Sequence, residues 1–423
     1  MKKCFFSYFM LCAAILVNYQ IQAQNSGKIR YVFLFIGDGM GINQVFTAQK
    51  FNELTLAPPL IFLENKWTFG LSMTECADSN KITDSGAGGT AIACGKRTSY
   101  GNIGEYQGKD LESVAEYLHN KKNFKVGIIT NVPLNHATPA CFYSHESSRK
   151  NYDNMTSDLI ESGFDFFAGG GFQLGNSDTS KKIFKDFDAI ISRFRENNFS
   201  VVFEGSPLKS FACLTDSRVL VIDTAIRNRQ LQLTNVYSDE KNSLPCALDE
   251  PQYAMKLADY TELAQLVLMN RKGFFIMIEG GKIDWACHDN DALTAIYEIN
   301  AFNAAIIKAY DFYLKHPGQT LIIVTADHET GGMTQGSYLD AGTSVKKDGY
   351  GLYLKKLLQQ EKSYIYTGKE SLGKIQDEAR IGWATYEHTS APVGIWAIGK
   401  GSRTFSGIMK NEDIKDKILK LVR

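Results

Sequence analysis

The sequence predicts an α/β protein with a central, mostly parallel sheet and helices on both faces. Two observations point to this class. Short runs rich in Val, Ile and Phe alternate with longer segments of helical periodicity, the order that builds a parallel sheet with crossover helices. The short runs are continuously apolar, as strands buried on both faces must be. No Pro/Ser/Gly-rich linker divides the 423 residues, so one large domain is expected from a length that could otherwise hold two or three.

In chain order, the candidate strands are Arg30–Ile36, Val126–Thr130, Phe164–Ala168, Val219–Ile222, Phe274–Ile278, Thr320–Thr325 and Val393–Ile398. Each is a run rich in branched or aromatic residues and of strand length. Between them lie the helical patterns Leu111–Asn120, Tyr260–Arg271 and Asp291–Leu314. Residues 331–386 carry Gly, Lys and Gln in number with weak patterning, and are expected to form an insertion near the surface. The first 23 residues read as a secretory signal, cut after Ala23: Met1-Lys2-Lys3, the largely apolar Cys4–Val17, then Ile21-Gln22-Ala23. The apolar part is shorter than the ~20 residues of a membrane anchor. The expected mature protein is residues 24–423, exported to a periplasm or secreted, with no membrane span.

The composition is that of an ordinary globular protein, 44% hydrophobic and 22% charged. Lys+Arg and Asp+Glu both number 46, so no overall field favours nucleic acid or an anionic membrane, and anion recognition must be local. Of eight cysteines, six survive signal removal: Cys76, Cys94, Cys141, Cys213, Cys246 and Cys287. Export would permit disulfides among them, and the lack of a CxxC pair argues against a cysteine zinc site.

The chemistry gathers at the carboxyl ends of predicted strands, where open α/β sheets bind ligands. Asp38 follows Phe33–Gly37, Glu279 the run Phe274–Ile278, and Asp327-His328 the run Leu321–Ala326. Each alone could be turn vocabulary. Together, acids on one rim that cannot all be buried unpaired imply a bound cation. Asp284 and His288 stand four apart, on one helical face if that segment is a helix, a spacing that suits zinc or arises by coincidence. His388 could complete such a site or lie on the surface. Thr83-Asp84-Ser85-Gly86-Ala87-Gly88-Gly89 reads as a turn entering a helix, where Asp84 or Ser85 would cap free amides and an anion would also be favoured.

These motifs resemble those of the alkaline phosphatase family. The matching segments are Phe35–Gly41, Thr83-Asp84-Ser85 with its glycine-rich run, His136–Ala140 leading to Ser148-Arg149-Lys150, Glu279–Asp284 with His288, Thr325–Glu329, and His388-Thr389. The resemblance implies the family's three-layer sandwich and a phosphomonoesterase that passes through a phosphoserine on Ser85. It implies two zinc ions, one held by Asp284, His288 and His388, the other by Asp38, Asp327 and His328 with Ser85 as exchangeable ligand. It implies one magnesium on Asp38, Thr138 and Glu279, and Arg149 on the non-reacting oxygens of the phosphate, beside Asp84. Two positions stand out. His136 occupies a place that is Asp or His among relatives, and Trp285 one where Lys or His is expected. Both are candidate modulators of magnesium affinity and pH optimum. Substrates would be small phosphate monoesters, and since members are often dimeric, a homodimer is among the assemblies allowed.

Two alternatives share the fold. A sulfatase would need a C/S-x-P-x-R setting, but Gly-Ala-Gly follows Ser85. Diesterase relatives commonly lack the third metal site and the Arg, whereas Thr138, Glu279 and Arg149 are present. A non-catalytic metal- or phosphate-binding protein would be expected to have lost Ser85 or a ligand.

Overall fold

The computed structural model of the chain describes residues 28–175, 183–203, 218–223, 244–248, 254–335 and 381–422. The predicted signal 1–23, Cys213 and residues 336–380 of the predicted insertion lie outside them.

Ten strands form one sheet: β1 (Tyr31–Gly37), β2 (Thr68–Met73), β3 (Lys125–Thr130), β4 (Phe166–Gly169), β5 (Phe199–Val202), β6 (Arg218–Ile222), β7 (Phe274–Gly280), β8 (Thr320–Thr325), β9 (Val393–Gly399) and β10 (Gly407–Lys410). Their order is β10-β2-β9-β8-β1-β7-β3-β4-β6-β5. Only β9 runs against its neighbours, so the sheet is mostly parallel, as predicted. All seven predicted strands are present, with ends shifted by at most two residues.

Both faces of the sheet are covered. On one, Phe33, Phe35, Phe274, Ile276, Ile278, Ile322 and Val324 pack beneath helices α1 (Ile42–Thr55), α7 (Leu257–Val267) and α9 (Ala292–Lys315). On the other, Val32, Leu34, Ile36, Val126, Phe275, Met277 and Ile323 pack beneath α2 (Ser85–Cys94), α3 (Val114–Lys122), α5 (Tyr152–Glu161), α6 (Phe187–Glu196) and α10 (Asp413–Leu421). Consecutive residues of β1 thus enter opposite cores, and all seven are buried. Two short helices, α4 (Ala137–Ala140) and α8 (Lys282–His288), follow β3 and β7 at the carboxyl edge.

The centre of the sheet positions the site. β1 lies between β7 and β8, with Ile36 opposite both Glu279 and Thr325. Asp38, Glu279 and Asp327 therefore leave adjacent strands at nearly the same height. Among the described residues, no helix is long and apolar enough to cross a membrane.

Candidate active site

Asp84 caps α2, its Oδ1 accepting hydrogen bonds from the backbone N–H of Ala87 (3.1 Å) and of Gly101 (2.9 Å). The cap sets Ser85 as the first helical residue, at the end where free N–H groups and the helix dipole favour an anion. The other carboxylate oxygen of Asp84 receives Arg149 Nη1 at 2.9 Å, and the Arg149 backbone N–H donates to Gly101 O at 2.8 Å. Arg149, which the resemblance assigns to the phosphate, is held beside the Asp84–Ser85 turn with its side chain 25% exposed. Its Nη2 also lies 3.2 Å from His136 Nε2.

Ser85 Oγ sits 3.3 Å from His328 Nε2, which lies 3.4 Å from both Asp38 Oδ1 and Asp327 Oδ2. Asp327 is oriented by its other oxygen, which accepts from the N–H of Gly39 (3.3 Å) and of His328 (3.1 Å). A second group forms around Asp284 and His288, placed one turn apart by α8, with their atoms 3.3 Å from each other. His388 joins them from a two-stranded ribbon that pairs Glu329–Thr330 with His388–Thr389; its Nε2 lies 3.1 Å from that of His288. The third group, Asp38, His136 and Glu279, has metal-ligating reach, with Thr138 Oγ1 donating to Asp38 Oδ2 at 3.2 Å. A fourth combination, Asp38 with Asp284 and His328, is also close enough to share an ion, so the first two groups adjoin. The residues predicted from sequence thus come together; Trp285 stands at the margin, edge-on to His136 with ring centroids 6.2 Å apart and packed with Val132 and Leu244.

The donor set fits cations. Nδ1 of His288 lies 2.5 Å from Tyr386 O, and Nδ1 of His388 lies 2.9 Å from Thr83 O. A carbonyl only accepts, so each Nδ1 carries hydrogen, and Nε2 is the nitrogen that each ring turns to the cluster. The two Nε2 atoms lie 3.1 Å apart, close enough to share one ion. Asp38 Oδ1, Glu279 Oε1 and Asp327 Oδ2 are buried with no hydrogen-bond donor, and buried carboxylate oxygens in that state call for a cation.

A family model described as Alkaline phosphatase matches residues 29–168 and 225–423. The chain belongs to the alkaline phosphatase family. It is 30% identical to alkaline phosphatase 4 of Bacillus subtilis, over 95% of this chain and 90% of that protein. The alkaline phosphatase of the Antarctic bacterium TAB5 superposes with a TM-score of 0.70 at 29% identity, covering 94% of this chain and 99% of that one. A histidine-to-aspartate mutant of that enzyme, with Mg bound in its M3 site, superposes with a TM-score of 0.69 at 29% identity, covering 93% and 98%. The fold is therefore that of this family, and the chain is a metal-binding phosphatase of the hydrolase class.

Electrostatics of the alkaline phosphatase site bear on the same point. Burial, then the charge of Asp284, raises Asp327 to about 7, and burial raises Glu279 to about 8. Asp38 is pushed well above the usual carboxylate range by burial and by its three acidic neighbours Asp327, Asp284 and Glu279. These carboxylates repel one another, and cations between them would restore their ionised form. Burial would also raise Asp84, but Arg149 and the N–H groups of Gly101 and Ala87 hold it below the usual range.

Sequence reasoning missed several supporting groups. Thr330 bonds both Asp284 and His328, and Gln44 Nε2 holds Glu329 at 2.5 Å and the Thr330 carbonyl at 2.8 Å. Thr130 Oγ1 donates to Glu279. The Tyr386 and Thr83 carbonyls are backbone groups, which no side-chain pattern reveals.

Proposed function

We propose that this protein is an alkaline phosphatase that hydrolyses phosphate monoesters through a phosphoserine intermediate on Ser85. The observation that carries the reading is Ser85 Oγ, first on its helix and 3.3 Å from His328 Nε2, with Asp38 and Asp327 each 3.4 Å from the same nitrogen. Two zinc ions and one magnesium are the proposed cofactors. Asp284, His288 and His388 would hold the first zinc, and Asp38, Asp327 and His328 the second, because imidazole and carboxylate suit zinc. Asp38, Glu279 and Thr138 supply oxygen for magnesium, with His136 beside them; the TAB5 mutant with Mg in its M3 site supports that ion in a relative.

When bound, the zinc ions would lower the pKa of the Ser85 hydroxyl and stabilise charge on the leaving oxygen. Ser85 Oγ attacks phosphorus as the P–O bond to the leaving alcohol breaks, and water then cleaves the phosphoserine to release phosphate and restore the hydroxyl. The free N–H groups at the start of α2 face the phosphoryl oxygens. Arg149 grips the oxygens that do not react, a fork suited to a monoester dianion; its bond to Asp84 fixes the fork's position. His136 and Trp285 flank the third group, where they would tune magnesium affinity and pH optimum.

The same reading makes residues 24–423 one catalytic domain, exported after loss of residues 1–23, with 331–386 as a surface insertion. The test is hydrolysis of p-nitrophenyl phosphate at alkaline pH together with metal analysis of the purified protein. Turnover with two zinc ions per chain is expected. A matched diester cleaved faster than the monoester would make the enzyme a diesterase, and metal binding without turnover would make it a non-catalytic binder.

A further inference from the structure

Thr330 is fully buried, on the ribbon strand that pairs it with His388. Its single hydroxyl touches two groups: Asp284 Oδ1, at short range, and His328 Nδ1 at 3.2 Å. The first belongs to the Asp284–His288–His388 group, the second to the Asp38–Asp327–His328 group. A threonine hydroxyl has one hydrogen, and an ionised carboxylate can only accept. The hydrogen therefore goes to Asp284, and the oxygen is left to accept from His328. We infer that the Thr330 hydroxyl fixes hydrogen on Nδ1 of His328 and so presents its Nε2 lone pair to the second metal.

For His288 and His388 a backbone carbonyl does this work; for His328 it depends on a side chain, which is why Thr330 is a positioning residue. The local backbone leaves the hydroxyl little freedom. Thr330 N–H donates to Gly39 O at 3.1 Å, and Thr330 O accepts from Gln44 Nε2 at 2.8 Å. Gly39 has a φ of +66°, and a Cβ there would stand 2.7 Å from both Asp284 Oδ1 and Thr330 Oγ1. The turn after β1 thus admits the Thr330–Asp284 bond only because residue 39 has no side chain. One hydroxyl thus touches a residue of each group, and would link the residues that hold the two zinc ions.

The inference rests on the proposed two-zinc site, and the experiment separates the two. In metal-stripped parent enzyme, ¹⁵N correlation spectra of the imidazoles should show His328 with hydrogen on Nδ1. Zinc affinity is measured on the same protein by competition with a chromophoric chelator. Thr330→Val should weaken zinc binding by roughly 10- to 100-fold, as loss of outer-shell partners does, while Thr330→Ser stays within about threefold of the parent. Hydrogen on Nε2 of His328 in the parent, a Thr330→Val protein that binds both zincs as the parent does, or Thr330→Ser failing as badly as Thr330→Val would each overturn the inference. If Thr330→Val does not fold, the parent spectrum and Thr330→Ser decide. A parent that takes up no zinc would instead overturn the metal site itself, and the inference with it.

Discussion

At the scale of single residues, the proposed mechanism divides its labour between a nucleophile and a clamp. Ser85→Ala removes one oxygen and leaves the Asp84 cap of the helix in place, so the variant should fold, bind zinc at the Asp284–His288–His388 group and lose nearly all turnover. Parent-like kcat would remove Ser85 from the chemistry. Arg149 differs, because its proposed role is to discriminate. Its Nη1 bonds buried Asp84 at 2.9 Å and its Nη2 lies 3.2 Å from His136 Nε2, so the fork's remaining N–H groups would meet oxygens that a monoester has and a diester has blocked. Charge-assisted hydrogen bonds contribute roughly 1.5–3 kcal/mol, and 1.36 kcal/mol is about tenfold in rate. Arg149→Ala should therefore lower monoester kcat/KM by roughly 10- to 100-fold and diester kcat/KM by less. Equal losses on the two substrates would reject the clamp as the source of discrimination.

At the scale of elements, two close fits govern the site. Helix α2 approaches the end of β8 at Gly88, where an added Cβ would meet the Asp327 carbonyl oxygen at 2.8 Å. Backbone cannot swing aside as a side chain can, so Gly88→Ala should force Ser85 and Asp327 apart, cost about 1–3 kcal/mol of stability and reduce kcat. Thermal melts and kinetics check this, and parent-like values on both would mean the helix has slack. The second fit joins α3 to the loop before Arg149. Glu116 closes the capping box of α3 with Ser113, and its Oε1 lies 2.9 Å from Nε2 of His145, whose Nδ1 lies 2.8 Å from Gly104 O. Both ring nitrogens face acceptors, so the ring is doubly protonated. Burial alone would lower its pKa, but the bond and charge of Glu116, the Gly104 carbonyl and the charge of Asp110 raise it to about 9; Asp158 is a further acidic neighbour. The sign follows from linkage: this stabilisation is fully present below the unfolded histidine value of ~6.5 and is lost as pH rises through the folded value. Glu116→Gln should thus lower Tm at about pH 6 and lose that deficit by about pH 10. An equal deficit at both would show packing at work and not charge. These elements also mark how far the sequence could be read. β1, β7 and β8 were legible because burial on both faces leaves only apolar residues. β2, β5 and β10 were not: β2 and β5 are only partly buried, β10 is mostly exposed, and β5 and β10 are short edge strands, so packing does not dictate their composition. Asp38, Asp284 and His328 were legible as metal-ligand types at strand and helix ends. Thr330 was not, because it acts only through them.

For the whole molecule, the sheet brings mutually repelling carboxylates together and leaves cations to reconcile them. A bound ion stabilises the folded chain by mass action, about 4 kcal/mol at a thousandfold excess over Kd. Chelation should accordingly lower Tm as well as abolish activity, and zinc with magnesium should restore both better than either ion alone. Glu279→Gln, in the oxygen-rich group, should blunt the magnesium response and leave the zinc response. A chelated enzyme with unchanged Tm would deny the ions any part in holding the fold. The most direct single measurement is mass spectrometry of enzyme quenched in acid during turnover of a phosphate monoester. Phosphate on Ser85 is the expected result; phosphate on Thr83 or Thr90, or on no residue of the chain, would contradict the nucleophile and the covalent route together.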